Sequence, residues 1–282
     1  MGKRVKQFLS VLFGRKIVLI SAIVILFFAF CAIASPLMAP CDPYEQDLSN
    51  RLAGASREHW LGTDQLGRDL YSRIVYGTRV AFLVGILAVF IAAALGCAIG
   101  LISGYFGGWV DNILMRIMEA QMAIPPLILA LALVAVFGRS VPMLIFVLGI
   151  SAIPGFARMM RGQVLSIREM DYIAASRIRG NSNLTTMIRH IFPNCLSPII
   201  VIMTQSIGGT ILAEAGMSFL GAGIVPPTAS WGAMVNAGYS YIYDAPLFAL
   251  APGIAIILLV LAFNIFGDGL RDALDPRLRG TI

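Results

Sequence analysis

Apolar residues run through this chain in blocks too long for a water-soluble core and too continuous for amphipathic surface helices. Six blocks stand out, near 17–38, 79–103, 115–137, 141–160, 196–220 and 247–267. Each offers the roughly 20 mostly apolar residues that a membrane-crossing helix needs. The third opens with Arg116 and Glu119, spaced i and i+3 so that they pair, and then meets Pro125-Pro126, which predicts a kink. The first is too long, and lacks a clear small-residue cleavage pattern, for a removable signal peptide. The pattern predicts an all-α polytopic membrane protein with six transmembrane helices. Residues 1–78 hold an N-terminal tail, the first helix and an external loop; residues 79–282 form the core transmembrane domain.

The polar interruptions carry finer structure. In the loop from 39 to 77, Thr63 or Asp64 is placed to cap a helix in which Leu66, Leu70 and Ile74 repeat every four residues, and Gly77 is placed to close it. This predicts an interfacial helix leading into the second span, with Arg68, Asp69 and Arg73 either on its solvated face or in a docking role. Within the second span Gly96, Gly100 and Gly104 form a stripe bare of side chains, along which another helix backbone can approach. The fifth contains Gln205 and then Glu214, an ionisable residue that costs about 2.5–3.5 kcal/mol at membrane depth unless it faces protein or water. Both are candidates for the translocation path or for a structural anchor. Trp231, Tyr239, Tyr241 and Tyr243 follow in a loop whose composition suits the headgroup zone. The last span ends in a helix placing Asp268 near Arg271 and Arg271 near Asp275, stopped by Pro276.

One polar interruption differs from the rest. "YIAASRIRGNSNLTTMIRHIFPN", residues 172–194, carries Arg177, Arg179, Arg189 and His190 and no acid. Met170, Ile173, Ala174 and Ile178 repeat with helical spacing until Gly180; a second short helix begins near Ser182, aligns Leu184, Met187, Ile188 and Ile191, and should stop before Pro193. Each helix is too short to hold alone, so its apolar stripe must be covered. Three readings compete: an amphipathic loop on lipid, a nucleic-acid helix-turn-helix, and a socket for a cytoplasmic subunit. The second fits poorly, because both ends are tied to spans.

Composition agrees with a membrane setting and fixes an orientation. Charged residues make up 13% of the chain against roughly 25% in soluble domains, and mean hydropathy is +0.84. With the N-terminus inside, fourteen of the 21 Lys and Arg fall on cytoplasmic pieces, Arg116 sits at an inner edge and six lie outside. That bias places both termini in the cytoplasm. The net charge of +6 then reflects topology and headgroup contact, with no nucleic acid required. Cys41 falls outside, Cys195 inside, and Cys31 and Cys97 within spans, so no disulfide is expected. His59 and His190 lie on opposite faces, so no His/Cys cluster with metal-ligand spacing is expected either.

The 172–194 stretch resembles the EAA loop of permease subunits in bacterial ABC importers. The triplet here reads Ala174, Ala175, Ser176, followed by Gly180 and a closing Ile191-Phe192-Pro193; the glutamate is absent. "HWLGTDQLGRDLYSRIVYGTRV", "GYFGGWVDNILMRIME", "GMSFLGAGIVPPTASWGAMV" and "AFNIFGDGLRDALDPRLRG" are similar, in order, to the second permease subunit of dipeptide, oligopeptide and nickel importers. The resemblance implies the type I ABC importer permease fold in a bacterial inner membrane. It also implies a heterodimer with a homologous permease, two cytoplasmic ATPases that bind ATP and Mg, and an external solute-binding protein. In that frame the loop at 165–194 is the coupling segment, with Asp171, Ala174, Ala175, Ser176, Arg177 and Gly180 seated against an ATPase.

The chain itself has no G-x-x-x-x-G-K-[ST] loop to cradle phosphates and no Ser/His/Asp set, so it reads as a conduit without catalytic residues or cofactor. The expected mechanism is alternating access, in which closure of the ATPases pushes the helix pair at 169–192. The rivals are a stand-alone ion-coupled transporter, for which Glu214 is the coupling acid, and a receptor or scaffold using the basic loop. A short peptide is the favoured substrate; the spans offer no cation-coordinating cluster for bare nickel, while a metal chelate would need none and stays an alternative.

Overall fold

The computed structural model describes residues 8–9 and 11–274, so the expectations on Asp275 and Pro276 fall outside the described residues. Helices α1 (Lys16–Met38) and α2 (Leu70–Phe106) are joined by a long segment with one 3₁₀ turn, Leu48–Asn50. Then come α3 (Gly108–Met122), α4 (Pro126–Phe137), α5 (Val141–Arg168), α6 (Asp171–Ile178), α7 (Asn183–Phe219), α8 (Trp231–Tyr239) and α9 (Pro246–Leu274). Among the described residues five helices are long and apolar enough to cross a membrane, six if α3 and α4, bent by 85° at 123–125, count as one broken span. Pro126 opens α4: its ring cannot extend α3, but its fixed φ suits a helix start.

The start of α1 and the end of α9 lie on one face. Arg15 pairs with Asp272 at 2.7 Å, and Gly269 of α9 packs under Val18 of α1. We call this the terminal face, and the side bearing the α1–α2 segment and α8 the far face. α1 is 23 residues long, about 34 Å at 1.5 Å per residue, and leaves Leu26, Ile33 and Leu37 exposed as a hydrocarbon-facing rim.

The second span begins well before residue 79. Asp69 caps α2 by accepting from Ser72 N at 2.7 Å, and the helix continues unbroken through Gly77. The expected interfacial helix closed by Gly77 is therefore absent among the described residues. Gly77 serves instead as the seat of Trp231: a Cβ there would stand 2.7 Å from the indole. Trp231 itself leaves the expected headgroup belt. It is 2% exposed, donates from Nε1 to Ile74 O at 2.9 Å and packs edge-on against Phe28. Tyr239 and Tyr243 are exposed, and Tyr241 stacks on Phe248.

The second short helix of the cationic loop also runs on where a stop was expected. Residues 186–191 form a π turn in which Phe192 N reaches back to Met187 O, and Pro193 then sits in the first turn of the following α-helical stretch. The wider turn lets the chain pass a proline near a helix start, where its missing N–H is harmless. Burial is split accordingly: Met187 and Ile191 are buried, while Leu184 and Ile188 are exposed.

Candidate functional site

On the terminal face, the ends of α2, α5 and α7 enclose one apolar cluster around Tyr105, Val164, Ile167, Met187 and Ile191. Into it α6 inserts a single side chain, Ile173, fully buried. The rest of the expected stripe lies open: Met170 is 45% and Ile178 86% exposed. Ala174 and Ala175 are exposed too, and Asp171 stands in the first turn of α6. Ser176 is buried and accepts from Asn181 Nδ2 at 2.9 Å, with Thr186 Oγ1 at 3.4 Å. Gly180 has φ +78°, the left-handed geometry that lets the chain reverse between α6 and α7. Tyr105 OH donates to Asn183 Oδ1 at 2.9 Å, tying α2 to the start of α7. Burial pushes the Tyr172 hydroxyl pKa up, while Arg179 and Arg189 stand exposed.

Behind this block, α2 and α5 touch along bare backbone. A Cβ on Gly96 would lie 2.7 Å from Ile153 O; one on Gly100 would run into Ala157 O and Met160; one on Gly104 would lie 2.8 Å from Val164 Cβ. The seam is closed at the terminal end by Arg168, which donates to Gly104 O at 2.8 Å. Beside it Arg161 of α5 holds Asp111 of α3 through two hydrogen bonds of 2.6 Å, and Ser103 of α2 donates to the same carboxylate. Sequence reading missed this three-helix link. Its signal was Asp111, a lone acid just before the third apolar block.

Two clefts open along α5 and α7 and share Ile202. One, about 470 Å³, lies at the α3–α4 corner against Ser151, Gly155 and Ser206; the other, about 790 Å³, lies nearer the terminal face and is bordered by Gln163, Ser197 and Gln205. Gln205 donates from Nε2 to Asp268 Oδ1 at 2.9 Å, so Asp268 is engaged by α7. Glu214 borders neither cleft. It is 2% exposed and accepts from Ser218 Oγ at 2.7 Å and Ser230 Oγ at 3.0 Å, joining α7 to the loop before α8.

The far-face segment departs most from expectation. Arg68, Asp69 and Arg73 are buried, not solvated. Arg68 Nε donates to Asp64 Oδ2 at 2.7 Å, Arg73 stands 3.6 Å from the same oxygen, and Arg73 Nη1 donates to Pro43 O at 2.9 Å. Asp64 also accepts from the backbone N–H of Leu66 and Arg68. This turn folds the segment back on α2 and brings His59 to Asp69 and Cys41, contrary to the expectation that no His/Cys cluster forms. Burial, with the charges of Asp69, Glu45 and Glu58, pushes the Cys41 thiol pKa up. All four cysteines stand as free thiols.

Residues 96–280 match the family described as the binding-protein-dependent transport system inner membrane component. The chain belongs to this family. Residues 4–55 in addition match the N-terminal transmembrane domain of oligopeptide transport permease C. A dipeptide transport system permease, DppC, of Alkalihalophilus pseudofirmus is 42% identical over 94% of this chain and 87% of its own length. A glutathione transport system permease, GsiD, of Escherichia coli O6:K15:H31 is 42% identical over 92% of this chain and 86% of its own. Among solved structures, an inward-facing MetNI methionine ABC transporter chain superposes with a TM-score of 0.59 at 19% identity, covering 72% of this chain and 96% of that one. An amino acid ABC transporter chain gives 0.55 at 17%, covering 71% and 94%. The protein is thus an ABC importer permease with the type I fold, a multi-pass component of the bacterial inner membrane. As such it works with ATPase subunits and a substrate-binding protein, and its family consists of non-catalytic membrane subunits.

Proposed function

We propose that the chain is one half of a peptide path, paired with a homologous permease, and that the α6–Gly180–α7 block is its contact with a cytoplasmic ATPase. The observation that carries the coupling assignment is the way α6 is held. Ile173 and Ser176 are buried and fix it to the bundle, while Ala174, Ala175 and the cation Arg179 are exposed. A short helix so mounted is stiff toward the bundle and open toward a partner. The terminal face is then cytoplasmic, with Asp171 and Gly180 completing the seat, the Arg177 side chain lying outside the described residues, and the nucleotide and Mg chemistry belongs to the partner.

A short peptide is favoured as cargo because the relatives named above are dipeptide and glutathione permeases, glutathione being a tripeptide. The clefts along α5 and α7 are lined mainly by amides, hydroxyls and apolar groups, suited to a peptide backbone, with Arg271 at the larger one, and Gln205 belongs to that lining. Glu214 acts as an anchor in this reading, since both of its serine partners occupy it. The test is substrate-stimulated ATP hydrolysis by the assembled importer in nanodiscs. Wild type should respond to peptide-loaded binding protein. Gly180→Val, which forces a branched side chain into φ +78°, should lose that response while Gly180→Asn keeps it. A normal response in Gly180→Val would remove the coupling role.

A further inference from the structure

The three residues gathered on the far face have the chemistry of a metal site. Cys41, His59 and Asp69 present ligand atoms that all lie within 4.8 Å of one another. The nearest pair, His59 Nδ1 and Asp69 Oδ1, is 3.0 Å apart. A tetrahedral ion with bonds of about 2.0–2.3 Å would set its ligand atoms roughly 3.3–3.7 Å apart, so the His59–Asp69 pair would open slightly from 3.0 Å and the set, now within 4.8 Å, would settle to that spacing.

The ligands are fixed by groups other than those that would bind. Asp69 Oδ2 is held by Ser72 N at 2.7 Å, leaving Oδ1 facing His59. Cys41 N donates to Ser72 Oγ at 3.3 Å, so one serine positions two of the three ligands. His59 N donates to Ser56 Oγ at 3.0 Å, and its carbonyl closes the turn to Gly62 N at 3.0 Å. The carboxylate side chain is 1% exposed and the imidazole 17%. The site is thus largely dry, with an entry beside the ring.

Charge selects the kind of ion. A thiolate and a carboxylate together neutralise a dication, and Glu45 and Glu58 add negative potential at the thiol. The nearby cations are occupied elsewhere, Arg68 by Asp64 and Arg73 by Asp64 and Pro43 O. Mixed S, N and O donors suit a borderline ion; Mg²⁺ and Ca²⁺ demand oxygen alone.

We propose that Cys41, His59 and Asp69 bind a divalent cation of the Zn²⁺ class, with the fourth position open to water. Binding displaces the thiol proton to solvent and leaves the proton of the neutral His59 ring on Nε2, so that Nδ1 is free for the ion. The ion then ties the segment after α1 to the first turn of α2.

The test uses the full chain in nanodiscs, stripped with a chelator and titrated with Co²⁺ as a spectroscopic probe. One Co²⁺ per chain should bind with a thiolate-to-cobalt charge-transfer band, and Zn²⁺ should displace it and block maleimide labelling of Cys41. Cys41→Ser should abolish the band, and His59→Gln should weaken Zn²⁺ binding more than about tenfold. Asp69→Asn keeps a capping side chain and should weaken it as well. No band in the wild type together with labelling indifferent to Zn²⁺, or equal binding in Cys41→Ser and His59→Gln, would leave only a histidine–aspartate hydrogen bond and overturn the proposal.

Discussion

Arg161 of α5 and Asp111 of α3 meet in a two-pronged pair, Nε to Oδ1 and Nη2 to Oδ2, each at 2.6 Å. Ser103 adds a third helix to the same carboxylate, so a single acid fixes how α3 leaves α2 and crosses α5. Fork-to-fork pairing of this kind is directional as well as strong.

Asp111→Ala should therefore cost about 1.5–3 kcal/mol, the range for hydrogen bonds to charged groups, and lower the unfolding temperature in nanodiscs. Asp111→Asn keeps one acceptor and should fall between. An Asp111→Ala protein as stable as wild type would show that the pair orders nothing.

The bare seam between α2 and α5 predicts unequal tolerance of glycine positions. At Gly100 a methyl group meets Ala157 O and Met160, whereas at Gly155 it meets nothing within 4 Å. Gly100→Ala should destabilise by about 1–3 kcal/mol through overpacking. Gly155→Ala should match wild type or gain slightly. Thermal melts of the two side by side decide it, and identical losses would mean that the seam is loose.

For Glu214 the informative contrast is between charge and hydrogen-bonding capacity. Glu214→Gln keeps an oxygen for Ser218 and Ser230 and should preserve both folding and peptide uptake by the assembled importer. Glu214→Leu strands two buried hydroxyls at about 1–3 kcal/mol each and should misfold or melt early. Loss of transport in a well-folded Glu214→Gln protein would instead make the carboxylate a working part of the path.

On the far face, Asp64 is fully buried against two arginines. Asp64→Ala leaves those cations uncompensated and should cost roughly 3–5 kcal/mol. Limited proteolysis should then cut within residues 44–69, a segment intact in wild type under the same conditions. A segment that resists equally in the variant would contradict this.

How much of this was legible beforehand depends on range. The apolar blocks and the Pro125-Pro126 corner are local signals, and they place the spans, with boundaries too short at Leu70 on the far face and at Arg168 on the terminal face. Gly180 was readable because a left-handed turn needs a residue type, not a partner. Asp69 and Gly77 were misassigned because capping spacing alone cannot tell Thr63, Asp64 and Asp69 apart; the choice is made by Ser72 and by the indole of Trp231, 154 residues beyond Gly77 in the sequence. The sequence leaves Arg68 and Arg73 between a solvated face and a docking role for the same reason. Helical spacing put them on a polar face, and only the folded-back turn at Asp64 covers that face. The π turn had no sequence signature beyond Pro193, which argued for a stop.

Two cylinders that touch through side chains can roll over one another as rotamers change. At Gly96, Gly100 and Gly104 α2 puts no side chain between itself and α5, so Phe156, Met160 and Val164 of α5 set their Cβ atoms directly against its backbone, and a Cβ does not move when a rotamer changes. The pair has no lubricant. It behaves as one plank across the membrane, and any rearrangement of the importer must be borne at its edges: at Gly107, where α2 gives way to α3, and at the left-handed turn beneath α6.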